Sequence, residues 1–203
     1  MQPTLRELLR ALRMIVVLAL VTGGLYTLVV TGVLTAAAPG RAQGSLVRVH
    51  GRVVGSALIG QAFSGPRWFT GRPSATVDPV SGAPDPYNAA NSGASNLAAD
   101  NPALIASVER SLSAFERRYH VGAAQVPTAM VESSASGLDP DIPVTAALEE
   151  IPTIALSTGV SPATLRALVR KTAAHPPFGS PGSSYVNVLT LNLALWHLEH
   201  RGA

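Results

Sequence analysis

Residues 14–36 read MIVVLALVTGGLYTLVVTGVLTA, 23 consecutive positions without a charged side chain. At about 1.5 Å per residue a helix over this run covers roughly 35 Å, enough to cross a hydrocarbon core of about 30 Å. Arg6, Arg10 and Arg13 flank it on the N-terminal side, and Arg41 is the first charge beyond it. The positive-inside rule therefore predicts a cytoplasmic segment over 1–13, a transmembrane helix over 14–36 and an extracytoplasmic domain over 37–203. Ala36, Ala37 and Ala38 would suit a signal-peptide cleavage site. Signal h-regions, however, are only about 7–15 residues long, so a retained anchor is expected. Gly23, Thr27 and Thr31 recur every fourth residue, with Gly24 and Gly32 beside them. Small residues at that spacing let a second helix approach closely, which predicts a membrane partner on this face and membrane lipid on the others.

Composition removes several function classes. Cysteine is absent, which excludes disulfides, thiolate metal sites and cysteine nucleophiles. Charged residues make up 13% of the chain, about half the usual share. The sequence pI of about 9.8 follows from that scarcity and from the arginine-bearing N-terminus, while the mean hydropathy of +0.27 points to a segment in lipid. Residues 37–203 carry only one net positive charge of the chain's three. Nucleic-acid binding needs a concentrated basic face, and none is present. Lys171 is the sole lysine and follows Arg170, so neither a Walker A loop nor the Asp-Lys-Thr-Gly site of P-type pumps can exist here.

Beyond the anchor, residues 37–44 form a short link. Leu46, Val47 and Val49 then oppose Val53 and Val54 across His50-Gly51, which predicts a β-hairpin. Residues 60–100 are rich in Gly, Pro, Asn and Ser and read as one long loop, a length that marks a functional or a disordered segment. Asn101-Pro102 opens a helix whose apolar stripe runs Ile105, Val108, Leu112, Phe115, Tyr119, with Glu109, Arg110, Glu116 and Arg117 outward. A helix is expected from Val144 to Ile151, broken by Pro152, and another after Ser161-Pro162 with Leu165, Leu168 and Val169 inward. Residues 175–184 read as loop, and 186–198 as either a helix capped by Asn187 or a short strand running into a helix. The expected fold is α+β, a single N-terminal transmembrane helix followed by one mixed α/β extracytoplasmic domain.

Catalytic signatures are missing. His197 and His200 have metal-capable spacing, but no third ligand accompanies them, and the surface reading suits a helix C-terminus better. No Gly-x-Ser-x-Gly occurs, and Leu168 stands where a Ser-x-x-Lys motif ending at Lys171 needs serine. Glu149 and Glu150 are helix neighbours that point in different directions, so they form no carboxylate pair. Polar loop stretches remain, Arg72 with Ser74, the run from Tyr87 to Leu97, and Ser134 to Asp139, rich in hydrogen-bonding side chains rather than general acids or bases. Such loops dock partners or satisfy their own turns.

Several ordered motifs carry a resemblance. They are Thr22-Gly23-Gly24-x-Tyr26, Gly51-x-Val53-Val54-Gly55-Ser56, Trp68-Phe69-x-Gly71-Arg72-Pro73-Ser74 and Ser92-Gly93-x-Ser95-Asn96-Leu97, then Ser136-Gly137-Leu138-Asp139-Pro140 and Val186-Asn187-Val188-Leu189-x-Leu191-Asn192. Together the chain resembles the C subunit of the Kdp-type potassium-transporting ATPase, over nearly its whole length. It departs from the family pattern at Ala94, Ala129, Met130, Glu132, Ser133, Ala135, Asp141 and Pro143, and residues 77–86 resemble an insertion. The resemblance implies a non-catalytic accessory subunit of a potassium uptake pump in the bacterial inner membrane. Its implied partners are a channel-like A subunit, a P-type ATPase B subunit and a small F subunit. It also implies roles in assembly and as a catalytic chaperone raising the B subunit's affinity for ATP, the ATP being a family-implied ligand with no tight cofactor expected. Candidate interface residues are Gly23, Gly24, Thr27, Thr31, Arg72, Ser95, Asn96, Ser136 and Asp139, with no catalytic or metal residue. A membrane-anchored periplasmic binding protein or hydrolase is the alternative.

Overall fold

A computed structural model describes residues 4–176 and 182–200. Part of the loop expected over 175–184 lies outside them. The chain divides into two units, residues 1–46 and 47–203. The first is a continuous helix, Leu5–Ala37, with a mean hydropathy of 2.2 over its most apolar window and no buried residue. It starts ahead of Met14 because Thr4 and Glu7 cap it, the Thr4 N–H donating to Glu7 Oε2 at 2.7 Å.

This helix is not uniform. An α-helical stretch, α1 (Leu5–Leu18), passes into a π-helical turn at Ala19–Leu25 and returns to α-helix as α2 (Tyr26–Ala37), followed by the short α3 (Pro39–Ala42). The Thr22 hydroxyl donates to the Leu18 carbonyl at 2.7 Å, and Gly23-Gly24 offer no side chains to hold an α-helical turn. Gly23 and Gly24 lie in this wider turn, and Thr27 and Thr31 follow in α2.

The second unit is a mixed α/β domain. It begins with the hairpin β1 (Leu46–Val49) and β2 (Arg52–Ser56), whose turn residues His50 and Gly51 both take positive φ. After the long loop comes α4 (Pro102–Tyr119), where the Asn101 side chain accepts from Ala103 N–H. Strand β3 (Asp141–Pro143) leads directly into α5 (Val144–Thr158), then α6 (Pro162–Thr172) follows. Strand β4 (Tyr185–Asn187) leads directly into α7 (Val188–Glu199). Antiparallel pairing of β3 with β4 sets Ile142 opposite Val186, and both are buried. Helices α5, α6 and α7 close over this pair through Ile151, Ile154, Leu165, Val169, Leu191 and Leu195.

Three expectations need correction or resolution. Pro152 does not end its helix, which continues to Thr158. An interior proline costs about 3 kcal/mol, but Pro152 projects to solvent while Ile151 and Ile154 on either side are fully buried, so tertiary burial overrides local preference. The stripe of α4 is covered only at its C-terminal end: Phe115 and Tyr119 are buried, whereas Ile105 stays about half exposed. The final segment is the strand-then-helix alternative, with Asn187 capping α7 through Thr190 N–H.

The long loop enters the core rather than lying over it. Phe69 is fully buried, and Asn192 of α7 clamps its backbone. Asn192 Oδ1 accepts from the Phe69 N–H and Asn192 Nδ2 donates to the Phe69 carbonyl, both at 2.9 Å. Replacing Asn192 with leucine leaves both buried peptide groups unpaired, so chaotrope unfolding of the full chain in detergent should show a loss of about 2–4 kcal/mol. A loss below about 0.5 kcal/mol would mean the clamp is dispensable.

Candidate functional site

The residues after Phe69 build the site outward from the core. Thr70 is fastened to a buried carboxylate, Glu150 of α5. Glu150 Oε2 accepts from the Thr70 N–H at 2.9 Å and from the Tyr119 hydroxyl at 2.8 Å, while the Thr70 hydroxyl lies 3.2 Å from Oε1. Next, a Cβ at Gly71 would collide with the Tyr87 hydroxyl, which donates to the Arg72 carbonyl. Only glycine admits the tyrosine so close.

Arg72 is the first group to reach the surface. Its guanidinium contacts Asp139 at 2.8 Å and donates through Nε to the Ala129 carbonyl at 3.2 Å. The charge-assisted pair is partly exposed. Asp139 Oδ1 also accepts from the Asp141 N–H, which fixes the carboxylate's orientation. Ser74 donates to the Gly137 carbonyl at 2.8 Å and accepts from the Tyr87 N–H, and the Pro73 carbonyl accepts from Ser134 N–H. Ser136 offers its carbonyl to Gly93 N–H and to the Ser92 hydroxyl. Gly137 takes φ +69° against Thr76 and the Gly93 carbonyl, where a side chain would clash. Segments 71–76, 87–93 and 134–139 thus form one cross-braced platform.

Burial shapes the electrostatics beneath it. Desolvation pushes the Glu150 carboxyl up to about 7, against the hydrogen bonds from Thr70 and Tyr119. Tyr119 is held far above the usual phenol range by burial and then by Glu150. Burial, with Asp139 nearby, pushes Tyr87 up to about 12. Above these buried groups, the Arg72–Asp139 ion pair is the charged contact that the platform presents partly to solvent.

Among the residues singled out in the sequence, Arg72, Ser136 and Asp139 are joined in the platform. Ser95 and Asn96 are exposed and lie outside its hydrogen-bond network, with Asn96 at φ +52°. Gly23, Gly24, Thr27 and Thr31 belong to the separate helical unit. His197 and His200 flank Trp196, and among the described residues no group of three His, Cys, Asp or Glu is placed to hold a metal ion. Glu199 pairs with Arg67 at 2.9 Å. Sequence reasoning missed Glu150 and Asn192. A signal existed: each interrupts a buried apolar stripe, Glu150 beside Ala146, Ala147 and Ile154, and Asn192 beside Val188 and Leu195.

Comparison with known proteins identifies the lineage. The profile of the family described as KdpC: K+-transporting ATPase, c chain, matches residues 8–197. The chain belongs to the KdpC family. It is similar to the potassium-transporting ATPase KdpC subunit of Rhodopseudomonas palustris (strain TIE-1), 45% identical over 196 residues that cover 94% of this chain and 96% of that one. The KdpC subunit of Variovorax paradoxus (strain S110) is 46% identical over 185 residues, covering 91% and 93%. That of Methylorubrum populi is 44% identical over 202 residues, covering 97% and 100%.

Of the positions set apart in the sequence, Ala129, Met130 and Asp141 lie beside the Arg72–Asp139 pair. Ala129 supplies the carbonyl that Arg72 grips, an interaction any residue can make. Met130 is buried. Asp141 has its carboxyl pushed up by burial, opposed by a hydrogen bond with Asn187. The 77–86 segment folds on itself, Asp78 Oδ1 accepting from the N–H groups of Val80 and Ser81 and from the Ser81 hydroxyl. Those bonds hold the Asp78 carboxyl below its usual range.

The Glu150 site makes a pH prediction. A carboxyl at about 7 in the fold and 4.5 when unfolded holds its proton longer in the native chain. Its contribution is greatest below about pH 4.5 and is lost as pH rises to about 7, a change of about 3 kcal/mol. Glu150→Gln keeps an acceptor for Thr70 and Tyr119 but cannot titrate. Subtracting the variant's stability from that of the parent across pH 4.5–7 should yield this slope, and a flat difference would refute it.

Proposed function

We propose that this chain is a non-catalytic accessory subunit of an ATP-driven potassium uptake pump. It is anchored once in the bacterial inner membrane, with its N-terminus in the cytoplasm and its main domain outside. It assembles with the channel-like A subunit, the ATP-hydrolysing B subunit and the small F subunit. The observation that carries the docking role is the convergence of 71–76, 87–93 and 134–139 on the Arg72–Asp139 pair. Their hydrogen bonds are spent on holding one another, which preorganises a rigid polar surface for a partner. Membership in the KdpC family supports the potassium pump as that partner.

The arginine bias before residue 14 supports an outside domain, whereas ATP is cytoplasmic. The chaperone effect on ATP affinity therefore acts through the partner subunits, not through an ATP site on this chain. A reporter fused after Ala203 should behave as extracytoplasmic, and a cytoplasmic signal would overturn this topology. In the reconstituted complex, Arg72→Ala should weaken co-purification by about tenfold, as expected for loss of a charge-assisted contact of about 1.5–3 kcal/mol. Melting of the variant chain by itself separates docking from folding. Undiminished assembly with an unchanged melt would remove Arg72 from the interface.

Replacing Gly23 and Gly24 with leucine tests the anchor. No atom lies within 4 Å of a Cβ built at either position, so the isolated chain tolerates the bulk. Co-purification with the pump should fall because added volume blocks close helix approach. Full assembly would return that face to lipid.

A further inference from the structure

A cleft of about 890 Å³ lies between α6, α7 and the β1–β2 turn, formed by residues the docking platform does not use. Among the described residues its ionisable lining is basic: His50, Lys171, His197 and His200, with no acidic side chain. Trp196 gathers the three imidazoles, its ring centroid 5.7 Å from that of His50, 4.9 Å from His197 and 4.6 Å from His200, which stacks on it. Leu168 and Leu198 belong to an apolar floor. Among the described residues these imidazoles are not grouped as a metal set. His200 Nδ1 is bonded to the Trp196 carbonyl at 2.7 Å, whereas His50, His197 and Lys171 bring donor groups to the lining of the cavity.

One cleft thus combines a fixed cation, imidazole N–H donors, an apolar floor and a tryptophan. Each selects a different part of an amphiphile. Lys171 and the imidazoles suit a phosphate, the floor suits the start of an acyl chain, and an indole sits at the boundary between apolar and wet surroundings. The volume falls within the range of small-ligand sites. Because the chain itself carries a helix of membrane-spanning length, lipid is an available ligand. We propose that this cleft binds the headgroup phosphate of an anionic membrane phospholipid. The inference needs an anchored chain but not the pump assignment, so either can fail alone.

Trp68 and Trp196 are the only tryptophans. In the Trp68→Phe full chain, Trp196 is therefore the sole indole emitter. That chain is reconstituted into phosphatidylcholine vesicles, to which phosphatidylglycerol or phosphatidylcholine with brominated acyl chains is added. Bromine quenches indole only at contact, so brominated phosphatidylglycerol should quench Trp196 well beyond the brominated phosphatidylcholine level. Lys171→Glu should raise the fraction needed for half-quenching by about tenfold, and Lys171→Arg should restore it. Lys171 is exposed in the last turn of α6, and an unchanged melt confirms that its variants fold. Equal quenching by both lipids, or none, would overturn the proposal. So would an emission change with inorganic phosphate alone and no quenching by lipid, which would assign the cleft to a free anion.

Discussion

The domain depends on a short length of loop, Phe69-Thr70, being held inside the core by polar side chains from two helices. Asn192 satisfies both peptide groups of Phe69, and Glu150 takes the N–H of Thr70. Irregular backbone inside a core carries donors and acceptors that water cannot reach. Without Asn192 and Glu150 the buried loop would carry several unpaired groups, each costing about 1–3 kcal/mol. With them, a segment that has no helix or strand of its own becomes as well anchored as one that does.

That anchoring is what makes the surface beyond it rigid. Arg72 lies two residues after Thr70, so its backbone leaves the core at a fixed point. Tyr87 then packs on Gly71 and bonds the Arg72 carbonyl, which leaves the guanidinium little choice but Asp139. The pair is worth little as an exposed ion pair. Its value is positional, since it ties 60–100 to 134–139 across a span no local turn could bridge. Titration of Glu150 lies one residue from this chain of contacts, so the buried carboxyl links stability of the platform to pH through Thr70.

The long apolar helix, Leu5–Ala37, follows a different rule. Nothing within its own unit buries it, and its deviations come from local chemistry. Gly23-Gly24 and the Thr22 hydroxyl open a π turn in the middle of an apolar run. A widened turn in a helix of small residues offers backbone to whatever packs there, which agrees with the KdpC family's membership in a multi-subunit pump.

By itself the sequence determined an apolar helix of membrane-spanning length, the hairpin, the caps of α4, α6 and α7, and the lack of a Walker A sequence or of any cysteine. These are set by local physics: an uncharged run, an Asn-Pro or Ser-Pro step, a missing residue type. The family too was legible, because ordered motifs survive without any knowledge of their contacts. Only the tertiary structure decided that α5 runs through Pro152, since burial of Ile151 and Ile154 outweighs the proline's local cost. It also decided the roles of Glu150 and Asn192, whose partners lie 80 and 123 residues away in Thr70 and Phe69. Periodicity marks them as polar interruptions of a stripe but says nothing of what they hold. A buried polar group is defined by its partner, and partners so distant in sequence meet only once the chain has folded.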